Sequence, residues 1–421
     1  MALSPPFVRA FVPEMEEREM RRKTPVLGLA CLLALATAPA AQAGENAIKV
    51  GVLGDMSGYA SSTGGVGSVT AARLAIEDAG PTIGGKPIEL ITADMQSKPD
   101  IAASIARQWF DQEGMDIIAD IPVSSVALAV QAVGREKHKA LLITAGLTTD
   151  LTRGQCSPWT MQWADDTSAL SQGTVRLLVE QGLKKWFFVT ADFAFGTALQ
   201  RDATNVIQAV GGEVVGSVRA PMATNDFSSF LVQAQASEAQ VVAFANASID
   251  TINSIKQAGE FGLTKGGKKL AALLMYVSDV HSIGLANAQG LYVTSGFYWD
   301  ESDKSRAFAD RFMAVEHQMP TKEQANIYAG LINYFAAIKA TGSDQAETVM
   351  RWLHTHTLDY FGRPVTLRID GRVLYDLTLY QVKSPAESKA PWDYYKKIAV
   401  VPAGQAFLPL DPALCPYTNA P

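Results

Sequence analysis

Three stretches of the chain gather hydroxyl-bearing and glycine residues where apolar runs give out. The first, "GDMSGYASSTGGVGS" from Gly54 to Ser68, follows "IKVGVL"; the second, "IPVSSVALAVQ", carries Ser124 and Ser125; the third, "ITAGLTTDLT", holds Gly146, Thr148 and Thr149. Hydroxyls and backbone amides exchange hydrogen bonds without changing charge near neutral pH, so together they offer non-covalent capture of an uncharged or anionic small molecule. Ser124 and Ser125 stand at a strand-to-helix junction, from which a side chain can cap the helix and still present a hydroxyl. Capping alone explains any one of these sites. All three, however, fall at strand ends, and in a parallel sheet ligands bind beyond the carboxyl ends of the strands.

Other chemistries fit less well. A dinucleotide fingerprint needs its first glycine directly after the strand, but Gly65 and Gly67 come well after Leu53, and Thr70 stands where the third small residue belongs. "GLTKGGKK" has a phosphate-loop frame, yet Lys269 replaces the hydroxyl residue and the segment precedes a strand. No G-x-S-x-G or H-E-x-x-H occurs, and His354 and His356, two of only five histidines, lie on an expected solvated helix end. Asp165 and Asp166 are adjacent, so their side chains diverge. No nucleophile, base and orienting group assemble; neither an enzyme, a cofactor nor a metal site is expected.

The elements that must position these groups follow from the bulk pattern. The 421 residues are 48% hydrophobic and 19% charged with a net charge of −6, enough apolar material for two domains. No basic run offers a footprint for nucleic acid or an anionic membrane. "RRK" at Arg21 to Lys23, the apolar "VLGLACLLALA" and "APAAQA" read as a secretory signal peptide over residues 1–43, with Met20 as an alternative start. The apolar run is short for a bilayer core of about 30 Å. Past it, only Cys156 and Cys415 remain, and two cysteines in an exported chain read as one disulfide, with about 4 to 5 kcal/mol of loop-closure entropy at stake.

From "IKVGVL" onward, short β-rich runs alternate with amphipathic ones: "PIELITADM", "MDIIADI" and "ALLITAG" as strands, with helices between, the second capped by Asp100. The alternation restarts with "KKWFFVTAD", "EVVGSVRA", "QVVAFAN" and "KLAALLMY". Such β-α repetition predicts parallel sheets covered on both faces. Beyond Leu291 the order is mixed, with a hairpin at Asp370-Gly371 and a proline-rich extended tail.

These stretches, with "GGKPIELITADMQSKPDIAASIARQ", "ADFAFG" and "DFSSFLVQAQASEAQVVAFANASIDTINSIKQAGEFG", resemble the leucine/isoleucine/valine-binding family of periplasmic solute receptors for ABC importers, over nearly the whole mature chain. The resemblance implies an α/β type I periplasmic-binding fold: two doubly wound, Rossmann-like lobes joined by a three-strand hinge, closing over a ligand. Residues 44–165 plus 300–365 would form lobe 1, and 166–299 plus 366–421 lobe 2 with the tail.

By the same resemblance the family's strand-end serine falls on Ser125, with Ser124 beside it, and its next strand end on Gly146 and Thr148. The second-lobe aromatic matches Phe195. Tyr59 borders the cleft, although Thr63 stands where the family tends to place its aromatic. The ammonium-binding glutamate of the amino-acid receptors has no obvious counterpart: "VSDVHS" offers Ser278 or Asp279. Phe193, Tyr298, Trp299 and Tyr328 add aromatic surface, "FYWD" resembles members that bind aromatic carboxylates, and Asn246 at a strand end completes the expected set. The implied protein is a periplasmic monomer that captures a small carboxylate, an amino acid or an aromatic acid, for an ABC permease; an exported sensor domain for a small amide or organic acid is the alternative.

Overall fold

Apolar residues of alternating parity decide how the strands are covered. The computed structural model describes residues 47–417 and Pro421; the expected signal peptide lies outside them. In chain order the first elements are β1 (Ile48–Gly54), α1 (Gly65–Ala79), β2 (Thr82–Ile83), β3 (Lys86–Asp94), α2 (Pro99–Asp111), β4 (Ile117–Asp120), α3 (Ser124–Lys137), β5 (Ala140–Ile143) and β6 (Thr160–Gln162). There follow α4 (Thr167–Glu180), β7 (Lys185–Ala191), α5 (Ala194–Ala209), β8 (Glu213–Ala220), α6 (Ser228–Ala236), β9 (Val241–Ala245), α7 (Ser248–Glu260), β10 (Lys269–Ala272), α8 (Val277–Ile283), α9 (Leu285–Ala288) and β11 (Tyr292–Ser295). The chain closes with α10 (Asp303–Glu316), α11 (Lys322–Thr341), α12 (Ala346–Thr355), β12 (Leu358–Tyr360), β13 (Arg363–Leu367), β14 (Val373–Leu374), β15 (Leu377–Val382), β16 (Tyr395–Val401) and α13 (Ala403–Ala406).

The first sheet has the order β2-β3-β1-β4-β5-β6 and the second β10-β9-β7-β8. Apart from the antiparallel β2 edge, every pairing in them is parallel, with Val50 opposite both Leu90 and Ile117. Parity then sorts the side chains. Ile48, Val50, Val52, Ala119 and Leu142 join one core with α1 and α11, while Leu53, Ile118, Leu141 and Ile143 join another with α2 and α3. In the second sheet Trp186, Phe188 and Ala243 face one way and Phe187, Val189 and Phe244 the other. A strand buried on both faces reads as a continuous apolar run, which is why β1, β4, β5, β7 and β9 were visible in the sequence.

Several segments depart from the sequence expectation. The glycines of "GGVGS" do not form a loop: α1 begins at Gly65, and a Cβ on Gly67 would lie 2.2 Å from the Gln324 side chain, so this glycine admits α11 against α1. Helix α2 starts at Pro99 with Lys98 at its cap, leaving Asp100 in the first turn. "VSDVHSI" is helical, and the expected tail contains β16, an edge strand paired antiparallel with β15. The hairpin is present, as β13 and β14 flank Asp370-Gly371. Leu367, Val373 and Phe407 pack in the first sheet's core, where the hairpin and the tail turn back onto it.

Cys156 and Cys415 are bonded, 5.7 Å apart at Cα across 259 positions. Among the described residues no helix is long and apolar enough to cross a membrane. Cys415→Ser, or reduction, is expected to lower the unfolding free energy by about 2–5 kcal/mol. Thermal unfolding with and without reductant measures this, and an unchanged melting temperature would show that the bridge contributes nothing.

Candidate functional site

The carboxyl ends of the two parallel sheets face one another across a cavity lined from both sides. Tyr59, Ala60 and Thr63 after β1, Pro122, Val123 and Ser124 after β4, Ala145 and Leu147 after β5, and Glu323 in the first turn of α11 line one side. Phe193 and Phe195 after β7, Ala247 and Ser248 after β9, and Leu274 and Tyr276 after β10 line the other. Tyr59 meets Phe193 edge-on at 5.6 Å between ring centroids, and Phe193 lies 6.1 Å from Phe195.

Helices following these strands start at the cavity wall. In α3 the first intrahelical bond runs from Ala127 N to Val123 O (3.0 Å), and in α5 from Thr197 N to Phe193 O (3.1 Å). The preceding amides, Ser124 to Val126 and Ala194 to Gly196, have no acceptor among the described protein groups. Unpaired amides and the aligned peptide dipoles make such ends hospitable to an anion. The turn into α3 is held in an unusual backbone, with φ of +79° at Asp120, +56° at Ile121 and +67° at Val123. For β-branched residues this is a real outlier, costing about 1–3 kcal/mol each. It delivers Ser124, whose Oγ accepts from Thr148 N at 3.2 Å and so keeps its own hydroxyl proton free to donate.

Contacts also cross the cavity. The Tyr59 hydroxyl donates to Ala247 O at 2.5 Å and lies 3.0 Å from Asp250 Oδ2. Tyr276 donates to Glu323 Oε1, while Oε2 of this almost fully buried carboxylate has no partner. At the rim, Thr149 Oγ1 donates to Asp202 at 2.9 Å and Arg201 pairs with Asp150 at 3.0 Å. Burial pushes the Glu323 and Asp279 carboxyls up to about 7, Asp250 to about 6 and Asp120 to about 8.

Of the residues expected from the sequence, the structure brings Tyr59, Ser124, Phe193 and Phe195 together at the cavity, with Thr63 beside Tyr59. Both alternatives in the β1–α1 loop therefore face it. Ser125 is the next residue of α3, half-buried outside the lining. Gly146 and Thr148 have their carbonyls engaged by Gln162 Nε2, at 2.7 and 3.2 Å. Asn246 is held by Ser254 and Thr251. Asp279 accepts from Tyr276 N at 3.0 Å in the cap of α8, and Ser278 sits beside it on that helix. Tyr298 donates to Trp392 O and Tyr328 to Asp78, both away from the cavity. Sequence reasoning missed Tyr276 and Glu323. Their one signal was position: Tyr276 follows an apolar strand, and Glu323 opens a helix capped by Thr321 and Gln324.

A facing pair of parallel α/β sheets with a cleft between their carboxyl ends defines a two-lobed binding protein of the type I periplasmic class. The profile of the periplasmic binding protein family matches residues 47–389, and the chain belongs to this family. "Leu/Ile/Val-binding protein homolog 6" of Brucella suis biovar 1 is 27% identical over 347 residues, covering 76% of this chain and 85% of that protein. A periplasmic binding protein from Burkholderia mallei superposes with a TM-score of 0.84 at 44% identity, covering 86% of this chain and 96% of that one. The branched chain amino acid ABC transporter periplasmic ligand-binding protein of Burkholderia xenovorans LB400 gives 0.77 at 38% identity, covering 86% and 97%. An ABC transporter solute binding protein of Rhodopseudomonas palustris BisB5, in complex with 3,4-dihydroxy benzoic acid, shares the fold at 23% identity, with a TM-score of 0.77 over 85% and 98%. The protein is thus a solute-binding protein of the branched-chain amino-acid ABC transporter type and not an enzyme.

Asp120 gives the electrostatics a test. In the fold its carboxyl keeps a proton up to about 8, whereas the unfolded chain loses it near about 3.9. Between these values only the unfolded state is ionised, so this group lowers stability as pH rises. Asp120→Asn, with an amide well tolerated at positive φ, should gain stability relative to the parent from pH 5 to pH 8. Denaturant unfolding at the two pH values checks this; a difference independent of pH would refute it.

Proposed function

We propose that the protein captures a small carboxylate, an aromatic acid in preference to an amino acid, by closure of its lobes in the periplasm and delivers it to the permease of an ABC importer. Residues 1–43 would serve as the export signal. The observation that carries this reading is the cavity wall itself: the unpaired amides opening α3 and α5, the free hydroxyl proton of Ser124, and the rings of Tyr59, Phe193, Phe195 and Tyr276. Amides and hydroxyl suit a carboxylate stripped of water, since charge-assisted hydrogen bonds are about twice as strong as neutral ones. The rings suit a flat apolar body. Asp279, the residue that resemblance offered for an ammonium, is spent on the α8 cap and does not line the cavity. The bound aromatic acid of the Rhodopseudomonas protein belongs to the same ligand class.

Thermal-shift and calorimetric titration with benzoate, benzamide and leucine test the reading. Benzoate-type acids should raise the melting temperature, because a ligand selective for the folded state stabilises it. Ser124→Ala should weaken their binding about tenfold or more. Equal binding of benzamide and benzoate would remove the carboxylate from the mechanism.

A further inference from the structure

We infer that Glu323, oriented by Tyr276, is a specificity determinant that selects ligands bearing a hydrogen-bond donor, a hydroxyl or an amine, on the body that carries the carboxylate. The inference rests on the carboxylate reading above and adds the second polar end of the ligand.

Glu323 is 2% exposed, lines the cavity, and has one oxygen engaged by the Tyr276 hydroxyl and the other by nothing. A buried carboxylate oxygen without a donor is among the costlier arrangements in a protein interior. The neighbouring cation eases the charge only through space and donates no hydrogen bond to Glu323, because Lys322 Nζ is committed to Asp165 at 2.8 Å. Among the other polar wall groups, Tyr59 donates to Ala247 O, Thr63 Oγ1 lies 3.2 Å from Ala60 O and near enough to Glu323 to favour its charged form, and the uncommitted hydroxyls of Ser124 and Ser248 make no hydrogen bond to Glu323 Oε2. The group positioned to complete Glu323 is therefore one that enters the cavity.

Tyr276 explains why the oxygen is presented in a fixed direction. It follows β10 at the N-cap of α8, whereas Glu323 opens α11 on the first sheet's side, so their hydrogen bond spans the cleft. The acceptor is complete only when both sides meet around the ligand. A site built to bond a ligand hydroxyl or amine discriminates strongly against the analogue that lacks it, since the protein group is then left unpaired.

The experiment compares the affinity of benzoate with those of 2-, 3- and 4-hydroxybenzoate and 4-(aminomethyl)benzoate by calorimetry, in the parent protein and in Glu323→Gln. At least one donor-bearing acid should bind the parent about 10- to 100-fold more tightly than benzoate. In Glu323→Gln the side-chain carbonyl can still accept from Tyr276, but an NH₂ then faces the cavity. An ammonium cannot accept from it, and a phenol can. The preference should therefore vanish for the aminomethyl acid and shrink for a hydroxybenzoate, which tells the two donor types apart. Tyr276→Phe should reduce the same preference by a smaller factor, and it serves if Glu323→Gln does not fold. Ser124→Ala should weaken all the acids while keeping their ratio. No preference in the parent, or a preference undiminished in Glu323→Gln, overturns the inference and leaves the carboxylate reading standing. Failure of every acid to bind overturns both.

Discussion

Asp165 holds together the three places where the chain passes between the side built on the first parallel sheet and the side built on the second. Its carboxylate accepts from Gly296 N at 3.0 Å, on the passage after β11, and from the Tyr375 hydroxyl at 2.9 Å, on the passage after β14, while itself lying on the passage after β6. Lys322 completes the node at 2.8 Å, both side chains being almost fully buried. Next to it, the wholly buried Arg372 donates to Ala164 O at 2.7 Å and pairs with Asp166 at 3.1 Å. Desolvating such ions is costly, and only good geometry with every lone pair engaged offsets it. The return is specificity of arrangement: with the passages tied at one point, the two sheets are held with their carboxyl ends facing.

Given that frame, the electrostatics of the cleft are set by opposing ingredients. Helix starts bring unpaired amides and positive dipole ends to the wall. Buried acids, Glu323 on the wall and Asp120 at the end of β4, bring groups whose ionisation the interior resists, as their upward shifts record. The amides welcome a full negative charge. Glu323, the one of the two on the wall, leaves an oxygen without a partner for a donor. A ligand with both ends satisfies the two sets together, and one with neither leaves each exposed to a dry pocket.

What the sequence disclosed follows from the range of the forces involved. Strands buried on both faces are continuous apolar runs, so β1, β4, β5, β7 and β9 were legible, and hydroxyls at their ends led to Ser124. The aromatic pair Phe193 and Phe195 emerged from resemblance. Non-local features did not show. Nothing local marks the positive φ of Ile121 and Val123, since the strain is held by the surrounding packing. Glu323 looks like any acidic residue in a helix's first turn, and only the return of the chain to the first sheet puts it against Tyr276. Tyr298 and Tyr328 failed in the opposite direction: aromatic type was visible, but their hydroxyl partners, Trp392 O and Asp78, are far away in sequence. β16 escaped notice because its "YKKIAVV" is mostly exposed on an edge.

The glycine-rich loop after β1 illustrates how ligand capture and closure become one event. Gly67, in the first turn of the helix that follows the loop, serves packing against α11, while the loop's polar residues reach across: the Tyr59 hydroxyl bonds Ala247 O, at the end of the opposite sheet. A ligand can bias closure only through contacts that differ between open and closed states. Ser124 and the α3 amides belong to one side, whereas Phe193, Phe195 and Tyr276 belong to the other. A molecule held by the first side alone gains nothing from closure, and one that also meets the second side stabilises the closed state by all the contacts it adds there. Because the Tyr59 and Tyr276 bonds cross the same cavity, the proposed closure would form protein and ligand contacts in the same movement, and selectivity for the ligand would become selectivity for the closed form.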